Sequence, residues 1–162
     1  MTDLVLLTAS YHAIRDGGPD GCVPVRSSIG APRFLPESRT WAFASKTAPY
    51  KVIKIEDRGE FETAYIERLD GIGLDVVRAQ LEDIAEAAGN ERLVLCCFEK
   101  IEDIAAGKNW CHRHMFAAWW LAQTGATVAE LRFTGRLPAV APPRPRRSPL
   151  TQLGLFMRAR RA

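Results

Sequence analysis

The chain has 162 residues, 47% hydrophobic and 25% charged, which is enough for one domain with a buried core. It contains no run of about 18 uncharged apolar residues, so a membrane-spanning helix is not expected, and its four cysteines are too scattered for a disulfide scaffold. The formal charge of +3 is uneven: residues 136–162 hold seven arginines and no acid, while the other 15 basic residues face 19 acidic ones.

Residues 3–9, with Leu4-Val5-Leu6-Leu7, lack the basic start of a secretory leader and read as a first strand. A cytoplasmic protein with reduced thiols is therefore expected. Residues 22–26 read as a second strand, placed at an edge by Pro24. Residues 27–48 form a long link without periodicity, and long links inside compact domains are often functional. Its opening, Arg26-Ser27-Ser28-Ile29-Gly30, is followed by Arg33, Ser38 and Arg39. Arginines, hydroxyls and glycine on one loop suit an anion such as a phosphate or nucleotide, although arginines pairing with surface acids give the same pattern.

Residues 51–55 alternate Lys-Val-Ile-Lys-Ile and predict a third strand. Asp57 is the expected cap of a helix through Phe61, Ala64, Tyr65, Arg68 and Leu69, broken by Gly71 and Gly73. Leu74, Val77, Leu81, Ile84 and Ala88 then repeat at helical spacing, and Gly89-Asn90 ends the run. Residues 92–98 give the strongest buried-strand signal. A polar loop, a helix over 109–123 stopped by Gly125, and a strand over 127–133 follow. The five strands, separated by helices, predict an α/β fold with a mostly parallel sheet flanked by helices in a Rossmann-like, three-layer arrangement. In such folds ligands gather at the carboxyl ends of strands.

A second chemical cluster falls at one of those ends: Cys96-Cys97-Phe98-Glu99, then Cys111-His112-Arg113-His114. Glu99 and His112 are candidate general acids or bases, and Cys111 heads a helix, where a thiol is more acidic. Cys96 or Cys97 with Cys111, His112 or His114 also offers zinc donors. The spacing is poor for zinc, since there is no Cys-x-x-Cys pair and successive strand residues face opposite sides, so no metal or cofactor is expected. Small core residues would account for the cysteines equally well. Trp41 and Phe43 in the long link, and Trp110, Trp119 and Trp120 near the last helix, are faces on which bases could stack, though core packing explains them too.

The run 92–100, then Cys111-His112-Arg113-His114-Met115, resembles the four-eighty-eight family of domains of unknown function. That family shows an apolar strand ending in Cys-x-Glu and a Cys-His-Arg that opens a helix. Val25-Arg26, Pro36 and Ser38-Arg39 match its earlier motif, with Pro24 where the family tends to have aspartate. The resemblance implies a compact α/β domain over about residues 4–133. It also implies a polar cleft where Arg26, Ser38, Arg39, Glu99, Cys111, His112 and Arg113 converge. It carries no settled activity.

Residues 137–147 are rich in Pro, Ala and Arg and should be extended. The expected organisation is a domain over 1–135, a linker over 136–148 and a tail over 149–162. The tail holds Gln152-Leu153-Gly154-Leu155-Phe156, with three large apolar side chains in a polar context. This pattern resembles the peptide by which bacterial DNA-processing proteins dock on the sliding clamp, the beta subunit of the replicative polymerase. Leu155 and Phe156 would enter an apolar pocket while Gln152 fixes register at its rim. The basic tail could also touch DNA or simply stay solvated. The expectation is a DNA-associated accessory protein whose anion-binding residues are Arg26, Ser27, Ser38, Arg39 and Arg113. The alternatives are an enzyme acting on a phosphorylated or nucleotide small molecule, and a module that blocks the clamp.

Overall fold

The computed structural model describes residues 4–15 and 21–132. In chain order these form β1 (Val5–Ser10), α1 (Tyr11–Arg15), β2 (Val23–Arg26), a 3-10 turn (Pro36–Thr40), α2 (Arg58–Ile72), α3 (Leu74–Ala88), β3 (Arg92–Cys97), α4 (Ile101–Ala105), α5 (His112–Thr124) and β4 (Ala129–Glu130). The four strands make one sheet in the order β2-β3-β1-β4, with every pairing parallel. The fold is therefore α/β, as the alternation of strand and helix patterns requires. No helix among the described residues is long and apolar enough to cross a membrane.

The long helices follow their local signals. The Asp57 side chain accepts a hydrogen bond from the Glu60 backbone N–H at 2.9 Å and caps α2, which buries Phe61, Tyr65 and Leu69 four residues apart. α2 runs through Gly71 and stops at Gly73, whose φ of 88° and ψ of 145° turn the chain into α3. α3 buries Val77, Leu81 and Ala85 and ends on Gly89 in the left-handed region. α5 buries Met115, Phe116, Trp119 and Trp120, so Trp119 and Trp120 are core residues and not a stacking surface.

Residue parity along β3 assigns the faces. Leu93 and Leu95 join Leu6 and Val25 against α2, α3 and α5. Val94 and Cys96 join Leu7, Ala9, Tyr11 and Leu35 on the opposite face, with Trp41 packed at its margin. Among the described residues that second face is covered by α1 and the 27–48 link. The link is tied to β2 by Arg26 N–H to Ala42 O (2.8 Å) and Ala44 N–H to Arg26 O (2.9 Å). Its lack of periodicity thus reflects a cover laid across a sheet.

Three expectations are corrected. Residues 51–55 are turns and not a strand: Val52 N–H reaches Pro49 O, Ile55 N–H reaches Val52 O, and only Val52 of the alternating set is buried. With that strand gone the sheet has four strands among the described residues and not five, and the last of them is reduced there to Ala129–Glu130. The polar loop after β3 contains the short helix α4. The domain limit at 135, the linker over 136–148, and Gln152, Leu153, Leu155 and Phe156 lie outside the described residues.

Candidate functional site

Parallel strands present their carboxyl ends together, and β3 ends at Cys97. Alternation turns Cys97 toward the α5 side and Cys96 into the opposite core, where burial raises the Cys96 thiol to about 12. Glu99 follows two residues on, and its Oε2 accepts from Cys97 Sγ at 3.1 Å. Across from it, Cys111 is the extended N-cap of α5 (φ −141°, ψ 137°) and His112 its first helical residue. The change of backbone conformation at that cap lets two consecutive side chains serve one site. His112 Nδ1 lies 3.5 Å from Cys97 Sγ and 3.9 Å from Cys111 Sγ. Cys97, Cys111 and His112 are all buried, and Glu99 is half-buried beside them.

The other side of the imidazole is fixed by the 27–48 link. His112 Nε2 lies 2.9 Å from the Ser27 carbonyl oxygen and 3.2 Å from Ser27 Oγ. Thr47 donates its one hydroxyl proton to Ala44 O at 2.9 Å, so Ser27 Oγ donates to Thr47 Oγ1 (2.9 Å) and is left to accept from the imidazole. Both contacts require the proton on Nε2, which leaves Nδ1 facing the thiols. The Tyr65 hydroxyl donates to the Thr47 carbonyl, and the Tyr65 ring stands edge-on to His112 at 5.6 Å.

The electrostatics are lopsided. Burial alone would raise Cys111, but the hydrogen bond from Cys97 and the Arg113 charge outweigh it and hold this thiol well below its ordinary range. Cys97 moves the opposite way, pushed up by burial and by its hydrogen bond to Cys111. Cys111 is thus the thiolate of the pair, and Cys97 keeps its single proton, which Glu99 Oε2 and the Cys111 sulfur share. Burial, and then the charge on Cys111, raise Glu99 above the usual carboxylate range.

Arg113, fully buried, turns away toward the sheet edge. Its Nε and Nη2 donate to both Glu130 oxygens, the shortest contact being Nη2 to Oε1 at 2.8 Å. Glu130 also accepts from Thr8 Oγ1 at 2.6 Å and from His114 Nε2 at 3.2 Å. Burial would raise Glu130, but the bonds from His114, Arg113 and Thr8 hold its carboxyl at about 2. The same pairing keeps Arg113 charged against its burial.

Of the residues expected in one cleft, Glu99, Cys111 and His112 come together, joined by Ser27. Arg113 stands next to them on α5 but is engaged by Glu130. Arg26 is stacked on the Phe43 ring (4.8 Å). Ser38 Oγ donates to Leu35 O at 2.6 Å inside the 3-10 turn, and Arg39 is exposed on that turn. The anion set is therefore dispersed: Ser27 supports the imidazole, Ser38 holds a turn, and the three arginines face three environments. Thr47 and Tyr65 belong to the site but were not among the expected residues, and Cys97 was expected there only as an alternative to Cys96 among possible metal donors. Strand alternation separates Cys97 from Cys96 without saying which of them meets α5, and nothing in the local sequence marked Thr47 or Tyr65. Comparison with protein-family models, curated proteins and solved structures returns no match.

Proposed function

We propose that the chain is a DNA-associated accessory protein of the bacterial cytoplasm. Its α/β domain uses the carboxyl edge of the sheet, in Rossmann-like fashion, as a processing site for a nucleotide or nucleic acid. Its C-terminal peptide docks on the sliding clamp. The chemical half of this reading is supported by one observation above all: a carboxylate, two thiols and an imidazole of fixed tautomer converge on one point of a buried strand end. Hydrophobic packing alone gives no reason to gather such groups, because each buried polar atom costs free energy unless it is satisfied. The resemblance to the four-eighty-eight family falls on these residues. The tether rests on Gln152-Leu153-Gly154-Leu155-Phe156 and on the arginines around it. A tether raises local concentration near DNA without tight binding by the domain itself.

Incubating the full chain with nucleotides and with single- and double-stranded oligonucleotides tests the chemical half. The wild type should convert one of them, and Glu99→Gln and His112→Ala should not. A wild type inert toward all of them would contradict it. A second reading, an enzyme acting on a phosphorylated or nucleotide small molecule, is favoured by the burial of Cys111 and His112 at 3% and 4% exposure, which admits a small group more readily than a polymer.

A further inference from the structure

We infer that Cys97, Cys111 and His112 form a binding site for a zinc-class cation. Their ligand atoms, two Sγ and Nδ1, all lie within 4.8 Å of one another. A tetrahedral zinc ion with Zn–S near 2.3 Å and Zn–N near 2.0–2.1 Å sets neighbouring sulfur and nitrogen about 3.6 Å apart. The two sulfur-to-nitrogen separations are 3.5 and 3.9 Å, so the donors stand close to the edges of such a tetrahedron.

The surroundings fit as well as the distances. A metal-bound histidine needs a bare nitrogen toward the ion and gives its other N–H to a carbonyl or carboxylate. His112 has this arrangement: Nε2–H points at the Ser27 carbonyl, Ser27 is held by Thr47, and Nδ1 is turned to the thiols. Both sulfurs bind as thiolates, and any proton still held between them leaves to solvent, as for thiolate ligands generally. A donor set of two sulfurs and one imidazole selects zinc over magnesium or calcium, which take oxygen. Three protein ligands leave a fourth position, as in catalytic zinc sites, and Glu99 supplies the carboxylate beside Cys97. The site requires neither the clamp nor a particular substrate.

The test uses the reduced full chain titrated with cobalt(II), a spectroscopic stand-in for zinc. About one equivalent should bind with thiolate-to-metal charge-transfer absorption and a tetrahedral ligand-field band, and zinc should displace it. Cys97→Ser, Cys111→Ser and His112→Ala should each weaken binding by at least about 100-fold, while Cys22→Ser leaves it unchanged. If a ligand variant fails to fold, the wild-type spectrum decides by itself. Folded, reduced wild type without charge-transfer absorption would overturn the site. So would a chain purified without reductant that is lighter by two hydrogens and carries a Cys97–Cys111 disulfide that withstands zinc and mild thiol.

Discussion

His112 Nε2 donates to the carbonyl oxygen of Ser27 across 2.9 Å, a contact that spans 85 positions of sequence. This one bond decides which nitrogen faces Cys97 and Cys111, and so links the long 27–48 connection to the chemistry of β3 and α5. The fold as a whole serves that link: the connection crosses one face of the sheet, and its first residues turn back to meet α5.

The tautomer is directly observable. Long-range proton–nitrogen NMR correlations of the His112 ring should show Nε2 as the protonated nitrogen, with its proton protected from exchange. A ring protonated only on Nδ1 would contradict the account of both the imidazole and the thiols.

The Arg113–Glu130 pair sets an acid limit on stability. Glu130 titrates near 2 in the fold against 4.5 in a free side chain, so its contribution is complete above about pH 4.5 and disappears as the pH falls through 2. The gap is worth roughly 3 kcal/mol. Urea unfolding followed from pH 7 to pH 2 should show this slope in the wild type and lose it in Glu130→Gln. That variant should also lose about 3–5 kcal/mol at pH 7, because Arg113 is left buried and unpaired. The double variant Arg113→Met, Glu130→Leu should recover much of the loss.

Gly73 isolates backbone strain from packing. A Cβ there meets nothing within 4 Å, yet φ is 88° and ψ is 145°, a region that side chains avoid. Gly73→Ala should therefore cost about 1–3 kcal/mol in chemical denaturation with the helix content unchanged. An unaltered midpoint would mean that the α2–α3 joint relaxes freely.

Much of this fold was legible because its long helices obey local rules. Asp57, Gly73, Gly89 and Gly125 mark ends, and Phe61-Tyr65-Leu69 and Val77-Leu81-Ala85 mark faces. β3 was legible as an unbroken apolar run. Residues 51–55 misled because alternation over so few positions is not specific to strands, and Pro49 initiates turns there. The helices α1 and α4, five residues each, are too short to carry periodicity. At the site, Glu99, Cys111 and His112 stood out by residue type. Spacing along the chain did not show that Cys97 meets both Cys111 and His112, because neighbouring residues diverge on a strand but not across the N-cap of a helix. The dispersal of the arginines was invisible, since it depends on where Phe43 and Glu130 come to rest.

Tyr65 tests how far the support of the site extends. Its buried hydroxyl donates to the Thr47 carbonyl, and burial keeps it un-ionised well beyond the ordinary range of a phenol. Tyr65→Phe should cost about 1–2 kcal/mol in thermal or chemical unfolding and broaden the His112 ring signals. A variant as stable as wild type with unchanged His112 signals would show that Thr47 holds Ser27 without it.

The proposed docking on the sliding clamp is tested most directly by calorimetric titration of the full chain into purified bacterial clamp. Burying Leu155 and Phe156 in an apolar pocket, offset by the entropic cost of peptide binding, predicts a Kd of about micromolar order. The double variant Leu155→Ala, Phe156→Ala should bind at least about 10-fold more weakly, and His112→Ala should bind like wild type. Absence of binding by the wild type, or equal binding by the double variant, would contradict the account.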